Sequence, residues 1–151
     1  MSIYRVEKAE QPVVLFQADG SVMKGMVFLS ASAYSHLGQQ TLLDLLKDKD
    51  SFFPFRGEKG DFRIANKSTI THIRYEPGAS EKDYCPLGTP EKVLITFVGG
   101  EQLHGTIVID LPEGRKRLID YFNAVGGFFA MRGDDSHHLV NAAQIRDISP
   151  V

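Results

Sequence analysis

Val13-Val14-Leu15-Phe16-Gln17-Ala18-Asp19-Gly20, followed by Gly25-Met26-Val27-Phe28-Leu29, returns in the second half of the chain as Val93-Leu94-Ile95-Thr96-Phe97-Val98-Gly99-Gly100 and Gly105-Thr106-Ile107-Val108-Ile109. The echo continues in the same order. Leu42-Leu43-Asp44 is matched by Leu118-Ile119-Asp120, and Phe52-Phe53-Pro54-Phe55-Arg56-Gly57 by Phe128-Phe129-Ala130-Met131-Arg132-Gly133. Asn66 through Ile70 to Ile73 is matched by Asn141 through Ile145 to Ile148. An internal duplication is the expectation, with one unit over residues 1–75, a linker over 76–90 and a second unit over 91–151. A unit of that size buries a thin core, so the two are expected to pack together.

Within each unit, Asp19-Gly20 and Gly99-Gly100 lie between apolar stretches and predict a β-hairpin with a two-residue type I′ turn. Along the second strand Met23, Val27 and Leu29 share one face, as do Leu103, Ile107 and Ile109, and period-2 alternation turns that face to the core. Gly25 and Gly105 interrupt the strand at matching places, marking either a bulge or bend or a close approach of a neighbouring backbone. Leu42, Leu45 and Leu46, and likewise Leu118, Tyr121 and Phe122, have the i, i+3, i+4 spacing of a helix with one apolar stripe. Asp110 with Pro112 predicts the second helix start, and Gly126-Gly127 its stop. Residues 30–40 read as a loop. Three further strands complete each unit, beginning at Phe52–Arg56 and Phe128–Arg132. The segment Glu76 to Pro90 holds three prolines and two glycines and reads as the linker.

Composition narrows the function. The chain has 151 residues, 42% hydrophobic and 24% charged, and a net charge of −2 that exerts no global pull on nucleic acid or acidic membrane. A lone cysteine, Cys85, makes no internal disulfide, and the first residues hold no apolar run, so a cytoplasmic protein is expected. No G-x-S-x-G, phosphate loop, dinucleotide fingerprint or H-E-x-x-H occurs. His137-His138 with His72 and His104 lacks the spacing of a metal set, and Cys85 lacks a neighbouring base. Asp44 and Asp120 are repeated carboxylates beside leucine-rich helical faces. The expectation is a protein without catalytic residues, metal or cofactor.

Four groups of residues are candidates for binding. Arg56 and Arg132, each before a glycine, form the charged position repeated with identity. They either clamp a carboxylate or phosphate or pair with the nearby Glu58 and Asp134. Asn66 and Asn141, with Lys67 beside the first, either contact a ligand or close a turn on their own backbone. Arg115-Lys116-Arg117 is the densest basic cluster, read on the second helix as a phosphate or acidic-partner contact or as a solvated face. The phenylalanine clusters are either core or an aromatic platform, and ten phenylalanines without tryptophan favour core.

A bent strand opening on G-x-x-x-x-G (Gly20 to Gly25, Gly100 to Gly105) and a later pair closing on I-x-x-I (Ile70 to Ile73, Ile145 to Ile148) resembles the Sm-like fold. This resemblance implies a mainly β protein with two helices, built as two small Sm-like or SH3-like barrels about a pseudo-two-fold axis. It also implies that Asn66 and Asn141 lie near an RNA-contacting turn. A helix-bearing insertion replaces the segment that carries the other half of that pocket in Sm proteins. The functional expectation is a non-catalytic adaptor that engages a protein partner through sheet edges or the junction of the units. RNA binding is the alternative, and an enzyme with its site between the units comes third. Self-association through strand edges is compatible with either of the first two.

Overall fold

A computed structural model describes residues 8–30, 40–77, 88–110 and 117–151. The first half holds β1 (Lys8–Gln17), β2 (Val22–Ser30), α1 (Leu42–Lys47), β3 (Phe52–Gly57), β4 (Phe62–Asn66) and β5 (Ile70–Tyr75). The second holds β6 (Thr89–Phe97), β7 (Gln102–Ile109), α2 (Leu118–Ala124), β8 (Phe128–Arg132), β9 (His137–Asn141) and β10 (Ile145–Pro150). A single turn of 3-10 helix, Lys67–Thr69 or Ala142–Gln144, joins the last two strands of each half. All ten strands form one antiparallel sheet in the order β10-β6-β7-β8-β9-β5-β1-β2-β3-β4. Within each half the fifth strand lies beside the first, followed by the second, third and fourth.

The hairpin turns differ from the two-residue form. The Gly20 amide donates to the Gln17 carbonyl and the Gln17 amide to the Ser21 carbonyl, with equivalent bonds among Phe97, Gly100 and Glu101. Of the residues in these two turns, Gly20 and Gly100 alone carry positive φ, 89° and 94°. The loop therefore has three residues, with a left-handed glycine closing it. The Asp19 carboxylate explains the choice: it accepts from the Ser21 amide and hydroxyl, which keeps Asp19 in ordinary backbone conformation.

Gly25 and Gly105 are close-approach glycines, not bulges. Val13 opposes Gly25 and Gly25 opposes Gly57 in unbroken register. A β-carbon on Gly25 would collide with the Arg56 carbonyl and stand 2.7 Å from the Phe55 ring. At Gly105 the obstacle is the Met131 side chain, 2.6 Å away. The bulges lie elsewhere, at Phe16/Gln17 and Ile145/Asp147.

Thr41 caps α1 in a reciprocal box: its hydroxyl accepts from the Asp44 amide while the Asp44 carboxylate accepts from the Thr41 amide. Leu42, Leu45 and Leu46 are buried as the stripe predicts. The second helix starts later than Asp110–Pro112 suggests. Arg117 stands at its N-cap in extended conformation with a guanidinium on the Asp120 carboxylate, 3.1 and 3.3 Å, so this member of the basic cluster precedes α2. Asp44 and Asp120 thus serve helix starts. Residues 111–116, including Pro112, Arg115 and Lys116, lie outside the described residues, as do most of the 30–40 loop and of the linker with Cys85.

Two hydrophobic cores sit under the sheet. Phe53 and Phe55 fill the first and Phe129 and Met131 the second, which answers the choice between core and platform at those rings. Phe128 and Leu139 belong to the second half by sequence but are buried in the first half's core. The halves meet by pairing β9 with β5, His72 opposite Val140 and Ile73 opposite Leu139. β9 is the fourth strand of its half and β5 the fifth of the other. Unlike strands are joined, so the expected two-fold relation is replaced by a head-to-tail one. A two-fold axis would pair one strand with its own equivalent. The cause is the apolar outer face of β8–β9, where Phe128 and Leu139 find cover against α1 and β5.

Gly25→Ala and Gly105→Ala separate the two glycine environments. The first meets backbone that cannot yield and costs about 2–3 kcal/mol; the second displaces a flexible thioether and costs about 1 kcal/mol or less. Urea unfolding of the two variants, compared at equal m-value, checks the order.

Candidate functional site

Next to the seam between the halves runs an open groove of about 780 Å3. Its floor is β1 and β2, and β3 supplies Arg56 on one wall. β5 supplies Arg74 and Tyr75, and the β8–β9 loop of the other half closes it with Asp135 and Ser136. Three cations, Lys24, Arg56 and Arg74, face three carboxylates, Glu58, Glu76 and Asp135. Met26, Pro12 and Val14 add an apolar strip.

The Arg56 guanidinium has two neighbours. Its guanidinium donates to Glu10 at 2.7 Å, and its carbon centre lies 5.6 Å from the Phe28 ring. The partner is thus Glu10, not the neighbouring Glu58. Both members of the pair are nearly half exposed, 42% and 45%, so a competing carboxylate can reach the guanidinium. Arg132 lines a smaller hollow of about 190 Å3 with His104, Gly105, Asp134 and Val151. These correspond in place to Arg56, Lys24, Gly25, Glu58 and Glu76, so the two repeated arginines stand in matching concavities. Arg132 is exposed and makes no ion pair with another described residue.

The other sequence candidates are placed differently. Lys67 is 8% exposed, and its ammonium donates to the Asp48 carboxylate at 2.7 Å and reaches the Asp48 carbonyl at 3.4 Å. That hydrogen bond holds the Asp48 carboxyl below its usual range. Lys67 therefore ties the turn before β5 to the end of α1 and offers no free charge to a ligand. Asn66 accepts from the Ser68 amide and hydroxyl, closing its own turn. Asn141 does the same for Ala143 and adds a cross-seam role: its side-chain amide donates to the carbonyls of Ile70 at 3.0 Å and Lys67 at 3.4 Å. Arg117 lies at the foot of α2, away from the groove's walls.

Sequence reasoning missed Lys24, Arg74 and Glu10. Lys24 had one signal, since it precedes the repeated Gly25 as His104 precedes Gly105. Arg74 and Glu10 had none.

Two of the four histidines weighed as ligands meet at the seam. His72 stacks between Phe16, 4.1 Å between centroids, and Phe97, 5.1 Å, with His138 edge-on at 5.7 Å. Thr71 contacts the His72 Nδ1 at 3.1 Å and Ser136 the His138 Nε2 at 2.8 Å. The His138 Nδ1 is buried with no hydrogen-bond partner among the described residues. Burial first, then the charges of His138 and Arg74, lowers the His72 pKa to about 3. Burial, Arg74 and His137 lower that of His138 to about 4. Both rings are neutral at physiological pH. Among the described residues no group of histidine, cysteine and carboxylate side chains is arranged to hold a metal ion, and no helix is long and apolar enough to cross a membrane.

No family model, curated protein or solved structure matches the chain.

The seam makes folding acid-sensitive. Both histidines have folded pKa values below the ordinary 6.5, so between these values the unfolded chain binds more protons. Stability is fully present above pH 6.5 and is lost as pH falls toward 4 and 3. Between pH 6.5 and 5 the pair accounts for a loss on the order of 3 kcal/mol. His72→Phe keeps the ring stack and removes its share, so thermal unfolding of this variant should fall less steeply from pH 7 to 5 than that of the parent.

Proposed function

We propose that the protein is a non-catalytic adaptor that takes an extended, carboxylate-bearing segment of a protein partner in the groove at Arg56. The observation that carries this is the Arg56–Glu10 pair: a half-exposed guanidinium at the rim of a groove built from both halves, already engaged by a carboxylate. Glu10 stands in for the partner's side chain. Arginine recognises a carboxylate through a planar fork, and Lys24 and Arg74 provide further positive charge along the same floor. Glu58, Glu76 and Asp135 select for a segment in which basic residues flank the acidic one, and Met26 and Pro12 receive an apolar anchor.

The repeated strand order and the shared glycine turns support reading each half as a small Sm-like barrel, duplicated in tandem. RNA binding of Sm type draws less support, because Lys67 is tied to Asp48 and Asn66 to its own turn. A single cysteine among 151 residues supports a cytoplasmic setting.

Arg56→Glu reverses the charge at the rim and should weaken partner retention by about 2 kcal/mol, roughly 30-fold. Glu10→Gln removes the internal competitor and should strengthen it. The measurement is quantitative recovery of protein and nucleic acid on the tagged chain from its own cells, after nuclease, at low and moderate salt. A stoichiometric protein lost with Arg56→Glu supports the groove. Salt-labile RNA without a stoichiometric protein, indifferent to Arg56→Glu, would replace it with the RNA reading.

A further inference from the structure

The two repeated arginines stand in matching concavities, and the residues around them have diverged. Register carries one site onto the other. Arg56 opposes Met26 and Met26 opposes Pro12, as Arg132 opposes Thr106 and Thr106 opposes Lys92. Residues directly opposite across a ladder share a face of the sheet. The apolar pair Met26 and Pro12 is therefore replaced by a hydroxyl and an ammonium. Lys24 becomes His104, which stands two residues before Thr106 and so on the same face.

The internal carboxylate has gone as well. Glu10, opposite Phe28, is the acid that occupies Arg56; the residue in its place, opposite Val108, is Pro90. Arg132, Lys92 and His104 are all exposed, and none makes an ion pair with another described residue. Among the described residues that line the hollow, Asp134 is the only acidic side chain. Lys92 and Arg132 lie two strand spacings apart, about 10 Å, with Thr106 between them. Two long cationic side chains thus flank one hydroxyl with no internal counter-charge between them.

We infer that the Arg132 hollow binds a phosphate monoester dianion, with the Arg132 guanidinium on two terminal oxygens, the Lys92 ammonium on the third and the Thr106 hydroxyl donating from the floor. A carboxylate has two oxygens in one plane and one charge, which the fork of Arg132 satisfies alone. Lys92 and Thr106 call for a third oxygen and a second charge. Size agrees. The hollow of about 190 Å3 equals the liquid volume of roughly six waters. That is room for a phosphoryl group and its ester oxygen, and too little for the extended segment received by the groove of about 780 Å3. A phosphodiester, as in a nucleic-acid backbone, brings one charge on two oxygens and gains no more here than a carboxylate does. The hollow is also set apart from the Asn141 turn, since Arg132 opposes His137 at one end of the β8–β9 ladder and Phe128 opposes Asn141 at the other. No residue lines both the hollow and the Arg56 groove.

Inorganic phosphate at about pH 8, where it is a dianion, is titrated into the isotope-labelled full chain at low ionic strength, and the amide resonances report affinity and place together. The resonances of Thr106, Arg132 and Gly133 should move. Acetate and dimethyl phosphate should bind about tenfold more weakly. Arg132→Gln should weaken phosphate binding about tenfold or more, Lys92→Gln by less, and Arg56→Gln not at all. Pro90→Glu installs the carboxylate that the first half has at Glu10 and should abolish binding, whereas Pro90→Gln should leave it. Positions 90, 92 and 132 are exposed, so these variants should keep the parent's spectral dispersion. A phosphoserine peptide and glycerol phosphate, both monoesters, separate the sources: the tighter peptide marks a phosphorylated partner, the tighter glycerol phosphate a small metabolite. Phosphate binding no tighter than acetate or dimethyl phosphate, shifts that spare Thr106 and Arg132, or affinity indifferent to Arg132→Gln or to Pro90→Glu would each overturn the inference. None of those results would alter partner retention at Arg56.

Discussion

The pairing of β9 with β5 is the contact on which the rest of the structure depends. Strand pairing alone is weak without buried side chains behind it. Here it carries Phe128 and Leu139 into the first half's core, where α1 and Ile73 surround them. Each of those side chains contributes about 1.5–3 kcal/mol by leaving water. A five-stranded half has a thin core of its own, and the first half's core would be open on one side without these two residues. The groove at Arg56 depends on the same pairing, since its fourth wall is the loop that leads into β9.

The polar chemistry of the seam follows from its dryness. Asn141 is 4% exposed, and its side chain is shared between its own 3-10 turn and two carbonyls of the other half. A buried amide with partners on both sides fixes register, because a slip of one residue would strand its donors. His72 and His138 do the opposite: they fill the seam with flat rings and tolerate burial only when neutral. The Nδ1 of His138 is buried there without a hydrogen-bond partner among the described residues.

Much of the β structure is legible in the residues. The alternation of Val27 and Leu29, or Ile107 and Ile109, marks the core face, and Gly20 and Gly100 mark the turns. Thr41 and Asp44 spell a cap three residues apart. The second helix is harder, because Asp110 and Pro112 make a better written start than Arg117, whose side chain makes no cap hydrogen bond and pairs with Asp120 instead. The seam is not legible at all. Its aromatic members Phe16, His72, Phe97 and His138 occupy positions where the other copy has Thr96, Asp147, Gln17 and Arg63. Comparison of the halves discards such positions as noise, though their disagreement is what distinguishes a covered edge from a bare one. The groove is half legible. Arg56 announces itself by repetition, whereas Arg74 and Glu10 come from places with no match.

That disagreement has a physical logic. The two halves of one chain are tethered, so their seam needs no long-range attraction to form and can be lined with stacked rings and a shared amide. A strand edge left in solvent has the opposite task, to refuse pairing, and charge performs it by penalising like-with-like contact. An exposed apolar edge such as Phe62–Ile64 would otherwise be a hazard for indiscriminate pairing. With Arg63 in the middle of that edge, a like edge meets like charge. The chain thus fills its covered edge with stacked aromatic rings and places charge on the edge that faces solvent.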